Sequence, residues 1–330
     1  KLIIVDEASM IDIPLMAKLL DAIKEDTNII LSGDANQLSS VEAGRVFSDL
    51  KDFFLLDIKN KLNANIVELT KSYRYKAKSI IEESKEILYK ILNSKNDEEN
   101  KKQAECFVEL MSKKERLIET EINNNLFDRI KKNFEEYNIK DFGLVISNIE
   151  ADDRIKKQFE LLRKFKFLSP LRLSKYGTFN INKSFANYLK KIKEKQFIPI
   201  IITKNNYQLN LFNGDIGIVE EENDEAYAYF ENEEKDEPTR KFNLSSLSNW
   251  EPAYCLSVHK SQGSEFDIVV LFLPENIDRF EFITLELLYT AITRAKEDFY
   301  IVSAKHSLEK VLLKRTKRFT GLFTKLQTMI

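Results

Sequence analysis

Two adjacent acids, Asp6 and Glu7, follow the short apolar run Leu2–Val5. Four apolar and mostly β-branched residues predict a buried strand, and carboxylates directly after it would lie at its carboxyl end. In parallel α/β sheets this end binds ligands. A carboxylate pair there could hold hydrated Mg²⁺ and orient a water molecule for nucleotide hydrolysis. Taken alone, the pattern is more typical of a strand that ends in solvent.

A second polar loop, residues 33–37, follows the next predicted strand, residues 29–31. Its Gln37 could hydrogen-bond a γ-phosphate or the attacking water. A helix is predicted between the two strands, with Asp12 as its cap and Pro14 in its first turn. Strand, helix and strand at this spacing predict a parallel α/β sheet.

An arginine between aromatic residues marks residues 71–75, where Arg74 lies between Tyr73 and Tyr75. Arginine binds phosphate in a bidentate manner, and a tyrosine ring can stack on a base. The alternative is an arginine in a surface ion pair.

Residues 257–266 form the most specific segment, because hydroxyl and amide donors, a glycine and Lys260 precede a predicted strand. Such a loop can contact phosphodiester oxygens. His259 could equally be a structural histidine. Residues 289–295 place Arg294 on a predicted helix, and the alternative there is a helix-surface arginine.

The rest of the chain predicts further α/β structure with two additions. Residues 79–140 are rich in Lys and Glu and predict solvated surface helices with a polar loop near residues 93–100. Residues 198–203 read as another strand of the α/β pattern. Glycine-punctuated β runs then predict a small antiparallel insertion over about residues 204–252.

Composition restricts the class of protein. The 330 residues include 51 basic and 53 acidic side chains, a net charge of -2, which excludes a polycationic nucleic-acid coat but not a local basic groove. No apolar run reaches the ~20 residues of a membrane helix, and no membrane partner is expected. Two cysteines favour a reducing, cytoplasmic setting. Because the chain opens at Lys1 directly into a strand, we expect it to be part of a longer polypeptide.

In their order and spacing, these segments resemble the motifs of superfamily 1 helicases, most closely those of the RecD family, the alpha subunits of exodeoxyribonuclease V. The Walker B, third, fourth, fifth and sixth motifs are similar to residues 6–12, 33–44, 71–75, 257–266 and 289–295. Residues 168–172 and 211–217 also resemble RecD sequences.

The resemblance implies a fold and a set of roles. The fold would be α/β, with two RecA-like P-loop NTPase domains. The first domain, residues 1–65, would be truncated. The second, residues 66–330, would carry the helical segment and an SH3-type β-barrel insertion. ATP would bind in the cleft between the domains. Asp6 would hold Mg²⁺, Glu7 would polarise the attacking water, Gln37 would sense the γ-phosphate, and Arg74 and Arg294 would be arginine fingers.

Further contacts are implied for the remaining motifs. Tyr73 would stack near the adenine, and Gly263 and Glu265 would lie on the nucleotide side of the fifth motif. Ser257, His259 and Lys260 would face single-stranded DNA. The implied activity is 5′ to 3′ translocation on one DNA strand by a subunit that assembles with RecB-like and RecC-like subunits in double-strand-break repair and recombination.

One family motif is absent from these 330 residues. A P-loop needs Gly-x-x-x-x-Gly-Lys-Ser/Thr, and none of the eight glycines is followed by Lys. We therefore expect this polypeptide alone not to hydrolyse ATP appreciably. Three alternatives stay open: a stand-alone RecD-like helicase, an RNA-directed superfamily 1 helicase, and a non-catalytic scaffold.

Overall fold

The computed structural model describes residues 1–39, 45–56, 66–69, 79–133, 142, 150–191, 195–222, 224–232, 239–316 and 321–328. Up to the first buried parallel strand, its helices and strands are β1 (Leu2–Val5), α1 (Ile13–Ala22), β2 (Asn28–Leu31), α2 (Val46–Leu56), α3 (Ile80–Asn93), α4 (Asp97–Lys113), β3 (Leu117–Ile118), α5 (Asn124–Asn133), α6 (Ala151–Lys164) and β4 (Phe165–Ser169).

The remaining elements are α7 (Thr178–Leu189), β5 (Ile198–Ile202), β6 (Ile216–Glu222), β7 (Glu225–Glu231), β8 (Thr239–Asn243), β9 (Trp250–Pro252), β10 (Cys255–Ser257), β11 (Phe266–Phe272), α8 (Leu285–Ile292), β12 (Ala295–Val302), α9 (Lys305–Leu313) and α10 (Leu322–Gln327). Internal contacts group them into two compact units. Unit 1 comprises Lys1–Phe107, Asp278–Thr293 and Glu309–Ile330, and unit 2 comprises Val108–Ile277 and Arg294–Leu308.

Unit 1 contains the strand–helix–strand motif that the sequence predicts. Strands β1 and β2 pair in parallel, with Leu2 opposite Asn28 and Val5 opposite Leu31. Helix α1 connects them, and Asp12 caps it by accepting a hydrogen bond from the Leu15 N–H at 2.7 Å. The predicted parallel α/β start and the capping residue are both confirmed.

Unit 1 contains one fully buried helix. Every residue of α8 is buried, and α3 packs against it. Helix α3 is capped by the Ser79 hydroxyl and buries one apolar face that includes Ile81 and Leu88.

The predicted Lys/Glu-rich helices are observed as α3, α4 and α5, but residues 134–140 of that segment lie outside the described residues. Strand β3 interrupts the segment because Leu117 and Ile118 are buried at the edge of the unit 2 sheet.

Unit 2 is built on a parallel sheet with strand order β10-β4-β11-β12-β3. Strand β4 is buried along its whole length, as expected for a parallel sheet that is covered on both faces. An aromatic cluster packs against it, in which Phe167 contacts Phe127, Phe185 and Phe272 at ring-centroid distances of 5.0 to 6.1 Å. Close packing in this cluster makes the strands rigid, and the polar loops follow the carboxyl ends of these strands.

A second, antiparallel sheet in unit 2 has strand order β8-β7-β6-β5-β9. The predicted insertion is therefore present, but its start is corrected: β5, assigned from sequence to the α/β pattern, pairs with β6 and β9 and begins the insertion at Ile198 instead of 204. A short apolar run does not reveal which sheet it will join. Gly217 is required here, because a Cβ would lie 2.6 Å from the Phe230 ring. Closure of this sheet into a barrel stays a prediction.

Neither compact unit begins or ends at residue 65, the predicted domain boundary, because unit 1 also contains α3 and α8. The proposed division into motor domains at that position stays a prediction.

None of the described helices is long and apolar enough to cross a membrane. Both cysteines are free thiols; Cys106 is exposed on α4 and Cys255 is buried in β10.

Candidate nucleotide and nucleic-acid sites

The loops after β1 and β2 are joined at the carboxyl edge of their sheet. The Ser32 N–H donates to the Val5 carbonyl and the Ala8 N–H donates to the Ser32 carbonyl, both at 2.8 Å. Gly33 allows this approach, because a Cβ at that position would lie 2.9 Å from the Ser9 nitrogen. The structure thus brings the predicted acid pair next to the predicted glutamine loop.

Glu7 has a backbone conformation that few non-glycine residues adopt. Its φ of 51° lies in the left-handed region, which costs of order 1–2 kcal/mol for a residue with a Cβ. The Glu7 N–H donates to the Asp6 carboxylate at 2.9 Å, which stabilises the turn. The Asp6 side chain is exposed and Glu7 is half-buried. Strain of this kind at a polar strand end supports a functional role for the acid pair.

The residues of this edge fit a nucleotide-bound magnesium ion. Mg²⁺ in nucleotide sites keeps several waters and binds one or two carboxylates together with the phosphates. Asp6 supplies an exposed carboxylate, and the buried Ser9 hydroxyl two residues beyond Glu7 has no hydrogen-bond partner among the described residues. The described part of the chain contains no cluster of three or more His, Cys, Asp or Glu residues that could form an all-protein metal cage.

Gln37 lies in a loop that is hydrogen-bonded to α8. The Gln37 amide donates to the Asp34 carboxylate at 3.4 Å, and the Tyr289 hydroxyl donates to the same oxygen at 3.1 Å. The Leu38 N–H donates to the Thr290 hydroxyl at 2.7 Å. Sequence reasoning gave no role to Tyr289 or Thr290, although both precede Arg294 in the segment that resembles the sixth motif.

Three predicted residues meet in unit 2. Arg294 is 3% exposed, and its guanidinium donates to the Ser264 carbonyl at 3.3 Å. Gly263 has a φ of 75° and Glu265 follows in the same loop. The prediction that Arg294 lies on a helix is wrong: α8 ends at Ile292, so the arginine lies between that helix and β12. A helix-surface arginine is excluded by its burial.

The predicted DNA-contacting residues share one loop at the carboxyl end of β10. The Val258 N–H donates to the Ser169 carbonyl, which fixes the loop to the neighbouring strand β4. The Lys260 N–H donates to the Ser257 hydroxyl at 3.2 Å, so the turn holds its shape through its backbone. The Lys260 side chain is exposed, and Ser257 and His259 are half-exposed.

A buried asparagine that the sequence did not single out supports this loop. Asn182 on α7 accepts a hydrogen bond from the Cys255 N–H at 2.8 Å. Its amide donates to the carbonyls of Pro252 and Cys255 at 2.9 and 3.1 Å. Asn182 therefore fixes the crossover from β9 to β10 just before the Ser257 loop. Tyr73 and Arg74 lie outside the described residues.

Comparison with known proteins shows which helicases the chain resembles. Residues 252–302 match the UvrD-like helicase C-terminal domain, and residues 1–90 match an AAA domain. The RecBCD enzyme subunit RecD of Buchnera aphidicola subsp. Schizaphis graminum is 31% identical over 95% of this chain, and that of Haemophilus influenzae is 29% identical over 97%. Over nearly its whole length, the chain is therefore similar to RecD-like helicases.

The match to RecD-like relatives is partial in length. The chain spans about half of the curated RecD proteins that it matches, 56% of the Buchnera protein and 53% of the Haemophilus protein. The ATP-dependent RecD2 DNA helicase of Deinococcus radiodurans is 25% identical over 91% of this chain and 36% of its own length. A solved Pif1 helicase from Bacteroides, in complex with ADP-AlF3 and ssDNA, is 14% identical with a TM-score of 0.47, covering 99% of this chain and 75% of that one.

Proposed function

We propose that the chain is part of an ATP-dependent motor that moves 5′ to 3′ on single-stranded DNA. It would act in the cytoplasm as a subunit of an exodeoxyribonuclease V complex of the RecBCD type, in double-strand-break repair and recombination. The observation that carries the proposal is the joined pair of loops at the carboxyl edge of β1 and β2, because it brings Asp6 and Glu7 next to the Gln37 loop.

Each residue of this edge would have a separate role in ATP hydrolysis. Asp6 would hold Mg²⁺, which neutralises charge on the β- and γ-phosphates when it is bound. Glu7 would accept a hydrogen bond from the attacking water and orient it for attack. The Gln37 carboxamide would hydrogen-bond the γ-phosphate or that same water. For Tyr73, Arg74, Gly263, Glu265 and Arg294, family resemblance supports nucleotide contacts.

The Ser257 loop would bind the DNA backbone. Hydroxyl and imidazole groups of Ser257 and His259 can hydrogen-bond phosphate oxygens without adding fixed charge, and Lys260 supplies one exposed cation. Contacts of this type hold the strand without reading its sequence, as a translocase requires.

The proposal is tested by DNA-stimulated ATP hydrolysis in the full-length gene product. Glu7→Gln keeps the size of the side chain but removes its ability to accept a proton, so kcat should fall by about 10²- to 10³-fold. The matched control is Glu25→Gln, an exposed acid that precedes β2 at the opposite edge of the sheet. Unchanged turnover in Glu7→Gln would exclude the proposed hydrolytic site.

A stand-alone helicase is the second candidate, favoured by the 25% identity to the Deinococcus RecD2 helicase. Purification of the native protein distinguishes the two. Co-purification of RecB-like and RecC-like subunits supports the complex, whereas an isolated protein that unwinds duplexes with a 5′ single-stranded tail supports the stand-alone form.

A further inference from the structure

Helix α8 contacts the Gln37 loop through two adjacent side chains. The Tyr289 hydroxyl donates a hydrogen bond to one oxygen of the Asp34 carboxylate. The same oxygen accepts a hydrogen bond from the Gln37 side-chain amide. The Thr290 hydroxyl accepts a hydrogen bond from the Leu38 N–H at 2.7 Å, and it donates one to the Glu286 carbonyl at 2.8 Å. The loop is thus fixed to α8 on both sides of Gln37, by a side-chain contact before it and a backbone contact after it.

Helix α8 is itself fixed at its amino end. The Glu286 carboxylate, on the buried helix, accepts hydrogen bonds from the Thr316 N–H and hydroxyl at 3.2 and 3.0 Å. The neighbouring Arg315 donates to the Leu92 carbonyl at 2.6 Å, at the end of α3. Because Glu286 is buried and Thr316 is half-buried, α8 cannot rotate without leaving these polar groups unpaired. The helix therefore provides a rigid reference for the Gln37 loop.

The shared oxygen of Asp34 links Tyr289 to the position of Gln37. Tyr289 occupies part of the acceptor capacity of that oxygen, and the Gln37 amide contacts it only at 3.4 Å, a long hydrogen bond. Without the tyrosine hydroxyl, the carboxylate would draw the Gln37 amide closer. A Gln37 amide drawn onto Asp34 would be less free to hydrogen-bond a phosphate or a water molecule.

We infer that Tyr289 and Thr290 are positioning residues that set the orientation of Gln37 for the hydrolytic step. This inference rests on the proposed function, because it assigns to α8 a task in that reaction. The effect should fall on kcat and not on KM, since Gln37 would act on the γ-phosphate or attacking water in the transition state.

The kinetic test uses DNA-stimulated ATP hydrolysis by the full-length gene product. Tyr289→Phe and Thr290→Val should each lower kcat about tenfold, the equivalent of one neutral hydrogen bond, with KM for ATP changed less than about twofold. Thr290→Ser keeps the hydroxyl and should restore turnover. Tyr188→Phe is the matched control, because it removes the hydroxyl of a buried tyrosine that donates to the Asp128 carboxylate at 2.7 Å in unit 2, and its kcat should be unaffected.

A second measurement does not depend on turnover. In the 330-residue chain, Thr290→Val should speed hydrogen exchange of the Leu38 amide about tenfold or more, and Thr290→Ser should not. Unchanged exchange, or unchanged kcat in Tyr289→Phe and Thr290→Val while Glu7→Gln abolishes hydrolysis, would overturn the inference and leave the proposed function standing. Hydrolysis that is insensitive to Glu7→Gln would instead remove the proposed function, and with it the role of α8.

Discussion

The side chain of Lys166 lies inside the parallel sheet of unit 2. It is 1% exposed, and its ammonium group donates to the Ala253 carbonyl at 3.1 Å and lies 5.4 Å from the centre of the Phe266 ring. The described residues place no carboxylate in an ion pair with it. Burial without a counter-ion disfavours the charged form and lowers the pKa of Lys166 to about 8.

This burial predicts a pH-dependent stability. The pKa of Lys166 is lower in the folded chain than the usual value near 10.4 in the unfolded chain. The cost of burying the charge, about 3 kcal/mol, is therefore fully present below pH 8 and disappears as the pH rises towards 10.5. Lys166→Met should raise the free energy of unfolding at pH 7, and the gain should shrink at pH 10.

Urea denaturation of both proteins at the two pH values measures this difference. The buried Cys255 thiol, whose pKa is raised by burial, is present in both proteins. Lys183→Met, an exposed lysine on α7, should change little at either pH. A gain from Lys166→Met that is the same at pH 7 and pH 10 would contradict the assignment.

At the scale of elements, α7 uses Asn182 to position the loop that is predicted to contact DNA. The asparagine satisfies the Cys255 N–H and two carbonyls at the crossover from β9 to β10. This crossover connects the antiparallel insertion to the parallel sheet directly before Ser257. The shape of the loop therefore depends on a helix that itself carries none of the predicted DNA contacts.

Removal of this support should affect both stability and binding. Asn182→Ala leaves the buried Cys255 N–H without its partner, so the free energy of unfolding should fall by about 1–3 kcal/mol, and binding of single-stranded DNA should weaken. Asn180→Ala is the matched control on the same helix, since the half-exposed Asn180 donates to the Lys175 carbonyl at 2.7 Å, and it should change the free energy of unfolding by no more than ~0.5 kcal/mol. Equal losses in denaturation experiments on the two variants would argue against the support role.

The elements differ in how well the sequence predicts them. Strands β1 and β2 and helix α1 follow from local signals, an apolar run and a capping residue, so their parallel motif and its acid edge were predictable. Strand β5 was assigned to the wrong sheet, because its partners β6 and β9 are chosen by the packing of distant residues. The contact of Leu38 with Thr290 joins positions 252 residues apart, a separation at which a single sequence gives no pairing signal.

For the whole molecule, the charge balance makes nucleic-acid binding a local property. With 51 basic and 53 acidic side chains, the net charge of -2 provides no general attraction for DNA. The proposed binding would therefore come from exposed cations at particular places, such as Lys260. The salt dependence of binding should then be shallow and should depend on these few residues.

This balance predicts the effect of Lys260→Ala on the 330-residue chain. Its backbone N–H still donates to the Ser257 hydroxyl, so the turn should stay intact while one phosphate contact is lost. The slope of log K against log salt for a single-stranded oligonucleotide should become shallower by about 0.7. Fluorescence anisotropy over a range of salt concentrations measures the slope, with Lys157→Ala, an exposed lysine on α6, as control. Identical slopes for the wild type and Lys260→Ala would place the strand elsewhere.

The two thiols differ in a way that is useful at the bench. Maleimides react with the thiolate form of accessible cysteines, and only Cys106 is exposed, whereas Cys255 is buried in β10 with a raised pKa. A fluorophore therefore attaches to one defined position on α4 without any engineered substitution. The 330-residue chain labelled in this way can report the proposed binding to a tethered single strand.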